Sequence, residues 1–152
     1  MRFKLWLTAI LAVGLFITGC ESKKDVSPKS FFTFKIGDSI YQSSSTEASL
    51  GVDKETGKPI LTIDGVTNNF RQHMDLQIIF ADSAVAGKYT TDIFVTLSDI
   101  NTGTVSYYNV GTGVTINLTS INSKHAEGTF FGNLTSGEIE KPLTDGTFQV
   151  NY

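Results

Sequence analysis

Residues 146–152 read Gly146-Thr147-Phe148-Gln149-Val150-Asn151-Tyr152. Glycine or apolar residues alternate with polar ones, so Phe148, Val150 and Tyr152 fall on one face and Thr147, Gln149 and Asn151 on the other. A period of two over this length specifies a half-buried strand, because successive side chains of an extended chain point to opposite sides. The same period recurs upstream. Val114, Ile116 and Leu118 alternate with polar residues, as do Met74, Leu76, Ile78 and Phe80, and Ile93, Val95 and Leu97. Phe32, Phe34 and Ile36 open the pattern, and Leu61 and Ile63 add another strand.

Turn signals separate these runs: Asn101-Thr102-Gly103, Gly111-Thr112-Gly113, Ser136-Gly137 and Asp145-Gly146. Glycine and asparagine supply the positive φ of tight connections. The four runs between 92 and 134 therefore read as an antiparallel meander. No long stretch has a 3.6-residue period; Ser83-Ala84-Val85-Ala86 has room for one helical turn. The expected fold is all-β, an antiparallel β-sandwich of about eight or nine short strands, with a small up-and-down β-barrel as the alternative. A sandwich fills its interior with Phe34, Phe80, Ile116 and Phe148, whereas a barrel leaves an apolar cavity. The tripeptides Gly128-Thr129-Phe130 and Gly146-Thr147-Phe148 read as neighbouring strands, each allowing close backbone approach at glycine and burying one Phe.

The first 30 residues follow a different logic. Arg2 and Lys4 precede an apolar run from Leu5 to Ile17, which is shorter than the ~20 residues a membrane-spanning helix needs. That is the layout of a signal peptide. Ile17-Thr18-Gly19-Cys20 resembles the lipobox of bacterial lipoproteins. The resemblance implies cleavage before Cys20, acylation of its thiol and new amino group, and anchoring to the lipid bilayer. Residues 1–19 are then the removed signal, 20–30 a lipidated Cys and polar tether, and 31–152 one all-β domain. Cleavage discards Arg2, Lys4 and the only tryptophan, Trp6, leaving ten basic and fifteen acidic side chains. A net charge of -5 gives no footprint for nucleic acid. The lipobox, the early aromatic strand, Gly87-Lys88-Tyr89 and the paired Gly-Thr-Phe strands resemble small β-rich lipoproteins of the Bacteroidota. That resemblance implies an envelope location, on the outer membrane and facing either the periplasm or the cell surface. It also implies that Asp38-Ser39-Ile40 and Asp82-Ser83-Ala84 look like O-glycosylation sites of that group.

Catalytic signals are sparse. His73 lies just before a strand and His125 in the 123–125 turn, neither in a nucleophile elbow or a zinc-binding helix. Asp64, Asp75, Asp92, Glu127, Glu138 and Glu140 are available to a two-carboxylate hydrolase, which requires two of them facing each other in a concave pocket. No metal or cofactor is expected, because the chain has no Cys-rich or paired-His site and no phosphate-cradling glycine loop. Aromatic residues give the best binding lead. Phe94 and Phe131 point away from the core face, and one of Tyr107 and Tyr108 joins them unless the second sheet or the 43–58 loop lies above. The leading expectation is a non-enzymatic binding or structural module for a glycan or an envelope protein partner. An adaptor acting through protruding loops, 43–58 or 135–142, is a third class.

Overall fold

The computed structural model describes residues 29–152. Cys20, the signal segment and most of the tether lie outside the described residues. Eleven strands follow in order: β1 (Phe31–Ile36), β2 (Ser39–Ser43), β3 (Thr46–Val52), β4 (Pro59–Val66), β5 (Gln72–Ile79), β6 (Gly87–Tyr89), β7 (Ile93–Asp99), β8 (Val105–Gly111), β9 (Val114–Ile121), β10 (His125–Ser136) and β11 (Ile139–Asn151). No helix occurs among the described residues, and Ser83–Ala86 bends without completing a helical turn. All strands join one antiparallel sheet, in the order β2-β1-β11-β10-β8-β7-β5-β4-β3, with β9 against β10 and β6 against β9.

The eleven segments are pieces of eight lengths. On the edge of β10 not taken by β11, Thr135 faces Tyr108 of β8 and residues 126–132 face 121–114 of β9. Thus β8 and β9 lie end to end. Along their far side β7 and β6 also follow one another, Ile93 facing Gly111 and Gly87 facing Leu118. Between β2 and β3 only Ser44 and Ser45 intervene. Asn68 N–H donates to the Gln42 carbonyl at 2.8 Å, and Ser44 N–H donates to Asn68 Oδ1 at 3.0 Å, carrying the course of β4 onto β2. The sheet is therefore nearly closed as a barrel whose neighbours in space are neighbours in sequence.

Its interior is packed. Phe34, Phe80, Ile116 and Phe148 are all buried, within one core that runs from Phe32 to Val150. The alternating residues of the sequence turn inward as a set: Met74, Leu76, Ile78, Ile93, Val95, Leu97, Val114 and Leu118 are buried. Each such side chain contributes about 1.5–3 kcal/mol on leaving water, against the entropy of ordering it. A filled, kinked barrel and a sandwich whose strands turn its corners are in this chain one architecture, since corners form where strands bend from one face to the next.

The two Gly-Thr-Phe tripeptides are neighbours, and they face each other in reverse: Gly128 opposes Phe148 and Phe130 opposes Gly146. A Cβ on Gly146 would lie 2.6 Å from the Phe130 ring, and one on Gly128 would lie 3.0 Å from the Phe148 ring. Each glycine thus leaves room for the other tripeptide's aromatic ring, and the rings pack at a centroid distance of 6.3 Å.

Strand alternation sorts the connections. Turns 37–38, 67–71, 100–104 and 137–138 gather at one end of the barrel. Turns 53–58, 80–86 and 122–124, the start of β1 and the end of β11 gather at the other. The span 43–58 is therefore strand β3 (Thr46–Val52) and the six-residue turn 53–58 that follows it, not a covering loop.

Candidate functional site

The end built from turns 37–38, 67–71, 100–104 and 137–138 opens as a mouth of about 400 Å³. Its floor and walls are Leu97, Tyr41, Gln72, Ser106, Tyr107 and Ser136. Tyr107 faces Leu97 across β7–β8 and so turns inward, partly buried against the core. Tyr41 is fixed from below by stacking on Phe34, at 5.1 Å between centroids and 13° between planes. Burial, together with the neighbouring Tyr107, raises the Tyr41 pKa above its ordinary value, so its phenol is a neutral donor and acceptor at physiological pH. Gln72 holds its Oε1 buried with no hydrogen-bond partner. A buried acceptor left unpaired is costly.

A second cleft of about 270 Å³ adjoins the mouth, lined by Ile40, Tyr41, Gln42, Thr67, Asn68 and Asn69. Tyr41 belongs to both. No charged side chain lines either cleft. The connections around them are held by their own hydrogen bonds. The Thr67 hydroxyl lies 2.7 Å from Asn69 Oδ1 and accepts from Gln72 N–H at 3.1 Å. Asp99 Oδ1 accepts from Asn101 N–H at 3.0 Å and Thr102 N–H at 2.9 Å. Bonding to the Thr102 backbone and side chain pulls the Asp99 carboxyl below the usual range. Ile100 N–H donates to the Arg71 carbonyl at 2.9 Å, joining two turns. The mouth is therefore preformed.

Of the aromatic residues expected to bind, the structure brings only Tyr107 into this mouth. Phe94, Tyr108 and Phe131 stand on the outer wall. Phe94 and Tyr108 are diagonal neighbours on β7 and β8, whereas Phe131 lies four residues before Thr135, the partner of Tyr108, about 13 Å along the strand. Sequence reading missed Tyr41, Gln72 and Ser136. The signal that marks them is position: each lies within two residues of a strand end at the mouth.

Both histidines are strand residues rather than turn residues. His73 Nε2 lies 2.8 Å from Asp64 Oδ2. Asp64 in turn faces Glu47 on one side and Asp75 on the other. Gln77 Nε2 donates to Asp75 Oδ2 at 2.9 Å, while Asp75 Oδ1 is buried and unpartnered. This acidic row lies on the outer wall. The adjoining cleft of about 150 Å³ includes Glu47 and Asp64 but not Asp75. His125 pairs with Asn151 Oδ1 at 3.2 Å, at the far end of the barrel. Among the described residues no group of three or more His, Cys, Asp or Glu is arranged to hold a metal ion. Ser39 and Ser83 of the two Asp-Ser tripeptides are both exposed.

No family model, curated protein or solved structure matches this chain.

Proposed function

We propose that this protein is a lipid-anchored binding module of the bacterial envelope whose barrel mouth takes a neutral, hydroxylated ligand of the saccharide class. The observation that carries this reading is the uncharged lining of the mouth: two tyrosines, a glutamine and serines, in a chain with fifteen acidic and twelve basic residues. Ion pairing cannot select a ligand there, whereas hydroxyls that both donate and accept match the available groups. Tyrosine adds a flat apolar face with a polar tip.

The tether supports the same reading. Phe31 starts β1 at the end opposite the mouth. Ten residues, 21–30, join Cys20 to that end and reach at most ~36 Å. Two or three acyl chains on Cys20 give stable anchoring, and the mouth then points away from the membrane.

Tyrosine fluorescence tests the proposal, since the mature chain has no tryptophan. Titration of residues 21–152 with neutral and acidic saccharide panels is expected to give saturable changes with neutral members. Tyr107→Ala and Gln72→Leu should each weaken binding at least tenfold, and Phe131→Ser should leave it intact. Absence of binding by every neutral saccharide, or binding indifferent to Tyr107 and Gln72, overturns it.

An adaptor reading is favoured by one feature. Ile40, Phe70, Ile100 and Ile139, one at each mouth-end connection, are large apolar side chains left exposed. A protein partner whose capture is lost in Phe70→Ser/Ile139→Ser, with no saccharide bound, would favour it instead. The hydrolase reading has its facing carboxylates in Asp64 and Asp75, but they sit on an outer wall, and the cleft beside them is lined by Asp64 and Glu47 without Asp75.

A further inference from the structure

The mouth and its neighbouring cleft are two compartments that share one lining residue, Tyr41. Gln72, Ser106 and Ser136 give the mouth its polar lining beside the two tyrosines. The cleft offers donors, and the reason is the loop's own bonding. Asn68 Oδ1 accepts from Ser44 N–H at 3.0 Å, and Asn69 Oδ1 accepts from Arg71 N–H at 3.1 Å. A backbone N–H can only donate, so these partners fix which end of each amide is oxygen. The NH₂ ends are the groups left for a ligand.

Phe70 follows Asn69 directly. It is the most exposed large apolar side chain of the described residues, 76% accessible, and its backbone sits in the left-handed region at φ 57°. That conformation costs an aromatic residue roughly 1–2 kcal/mol relative to glycine. It persists because Phe70 N–H donates to the Thr67 carbonyl at 2.8 Å and Thr67 N–H donates to the Gln72 carbonyl at 2.9 Å, locking the turn. Strain held by surrounding bonds, with the ring presented to solvent, points to a use for that ring.

We infer that the ligand is an oligosaccharide of at least two units, one in the mouth and the next in the Asn68–Asn69 cleft, with Phe70 as a stacking platform beyond Tyr41. This rests on the saccharide reading of the mouth. A sugar ring has an apolar face of C–H groups and an edge of hydroxyls. The apolar face suits the Phe70 ring, and the edge suits the Asn68 and Asn69 amides. Absence of charge in both compartments makes the chain neutral along its length.

A length series tests the inference. Residues 21–152 are titrated with one-, two- and four-unit homo-oligomers of glucose, galactose, mannose and N-acetylglucosamine. In the series that binds, affinity is expected to rise at least tenfold from one unit to two or four. Phe70→Ala should abolish that gain while leaving the single-unit affinity within about twofold, and so should Asn68→Asp, which keeps the acceptor for Ser44 N–H and removes the donor. Tyr107→Ala should weaken every length alike. Phe70→Gly suits φ 57° and should keep or raise Tm while losing the gain, which separates ligand loss from misfolding. Equal affinity at all lengths, or a gain that survives Phe70→Ala and Asn68→Asp, overturns the two-compartment inference and leaves the mouth reading standing. Failure of all four series at every length overturns both.

Discussion

Asp75 illustrates how far a single residue can be understood from its neighbours. Sequence puts it among six acidic candidates, on the polar side of a strand, and that side is legible from the period of two. Its partners are not, because register decides them: only the β4–β5 pairing sets Asp64 opposite. Burial raises the Asp75 pKa first, and the Asp64 charge adds to it, while the Gln77 hydrogen bond and His73 oppose. The folded chain therefore holds this proton more tightly than the unfolded chain does. The resulting penalty is present above the folded pKa and is relieved as pH falls through that value toward the unfolded 3.8. Asp75→Asn removes the penalty while keeping an acceptor and shape. Its Tm at pH 7 should exceed the parent's, and the difference should vanish below about pH 3.8. Thermal unfolding monitored across pH 3–8 checks this. A lower Tm for Asp75→Asn at pH 7 would mean that the carboxylate stabilises the fold, and the pH dependence would then run the opposite way.

At the scale of elements, the inward faces are readable throughout, and the errors concern how strands join. Gly111-Thr112-Gly113 has the composition of a hairpin turn, yet β8 and β9 do not pair. Both glycines do take positive φ, 79° and 90°, but the effect is a corner in one long strand. Local sequence cannot distinguish the two outcomes, since the deciding factor is the twelve-residue β10 that backs both halves. Asn109 secures the corner from inside. It is 5% exposed, and its Nδ2 donates to the Thr112 carbonyl. Asn109→Ala should destabilise the fold by about 1–3 kcal/mol, since the Thr112 carbonyl loses its donor and a small void opens. Urea unfolding should show a lower midpoint with an unchanged m-value. An unchanged midpoint would show that the glycines alone hold the bend. The Gly-Thr-Phe echo is legible as two close strands. Its reversed pairing is not, because a repeated tripeptide carries no information on whether like faces like.

For the whole molecule, the expected address and the fold class rest on the chain's two clearest patterns, an apolar run before Cys20 and alternation after Phe31. The candidate site is the least legible part. Tyr41, Gln72 and Ser136 are far apart in sequence and meet only because up-and-down order brings every second turn to one end. That order also has a consequence for orientation. Tethered through Cys20 as proposed, the protein presents the 80–86 turn toward the bilayer and the 137–138 turn away from it. Strand β10 is twelve residues long, so at ~3.3 Å per residue the two ends stand up to ~40 Å apart, less the tilt. With residues 1–19 removed as proposed, the net charge becomes -5, which further discourages lying flat on an anionic surface. Val85 and Ile139 are exposed at opposite ends. With Cys20 acylated as proposed, Val85→Cys and Ile139→Cys each provide a single thiol for a fluorophore. In vesicles carrying headgroup spin labels, the Val85 position should be quenched strongly and the Ile139 position weakly. Cys20→Ser, which removes the anchor, should leave the chain soluble and abolish quenching at both. Equal quenching at the two positions would mean a barrel lying on its side, and stronger quenching at Ile139 would bring the apolar rim to the membrane and close the mouth against it.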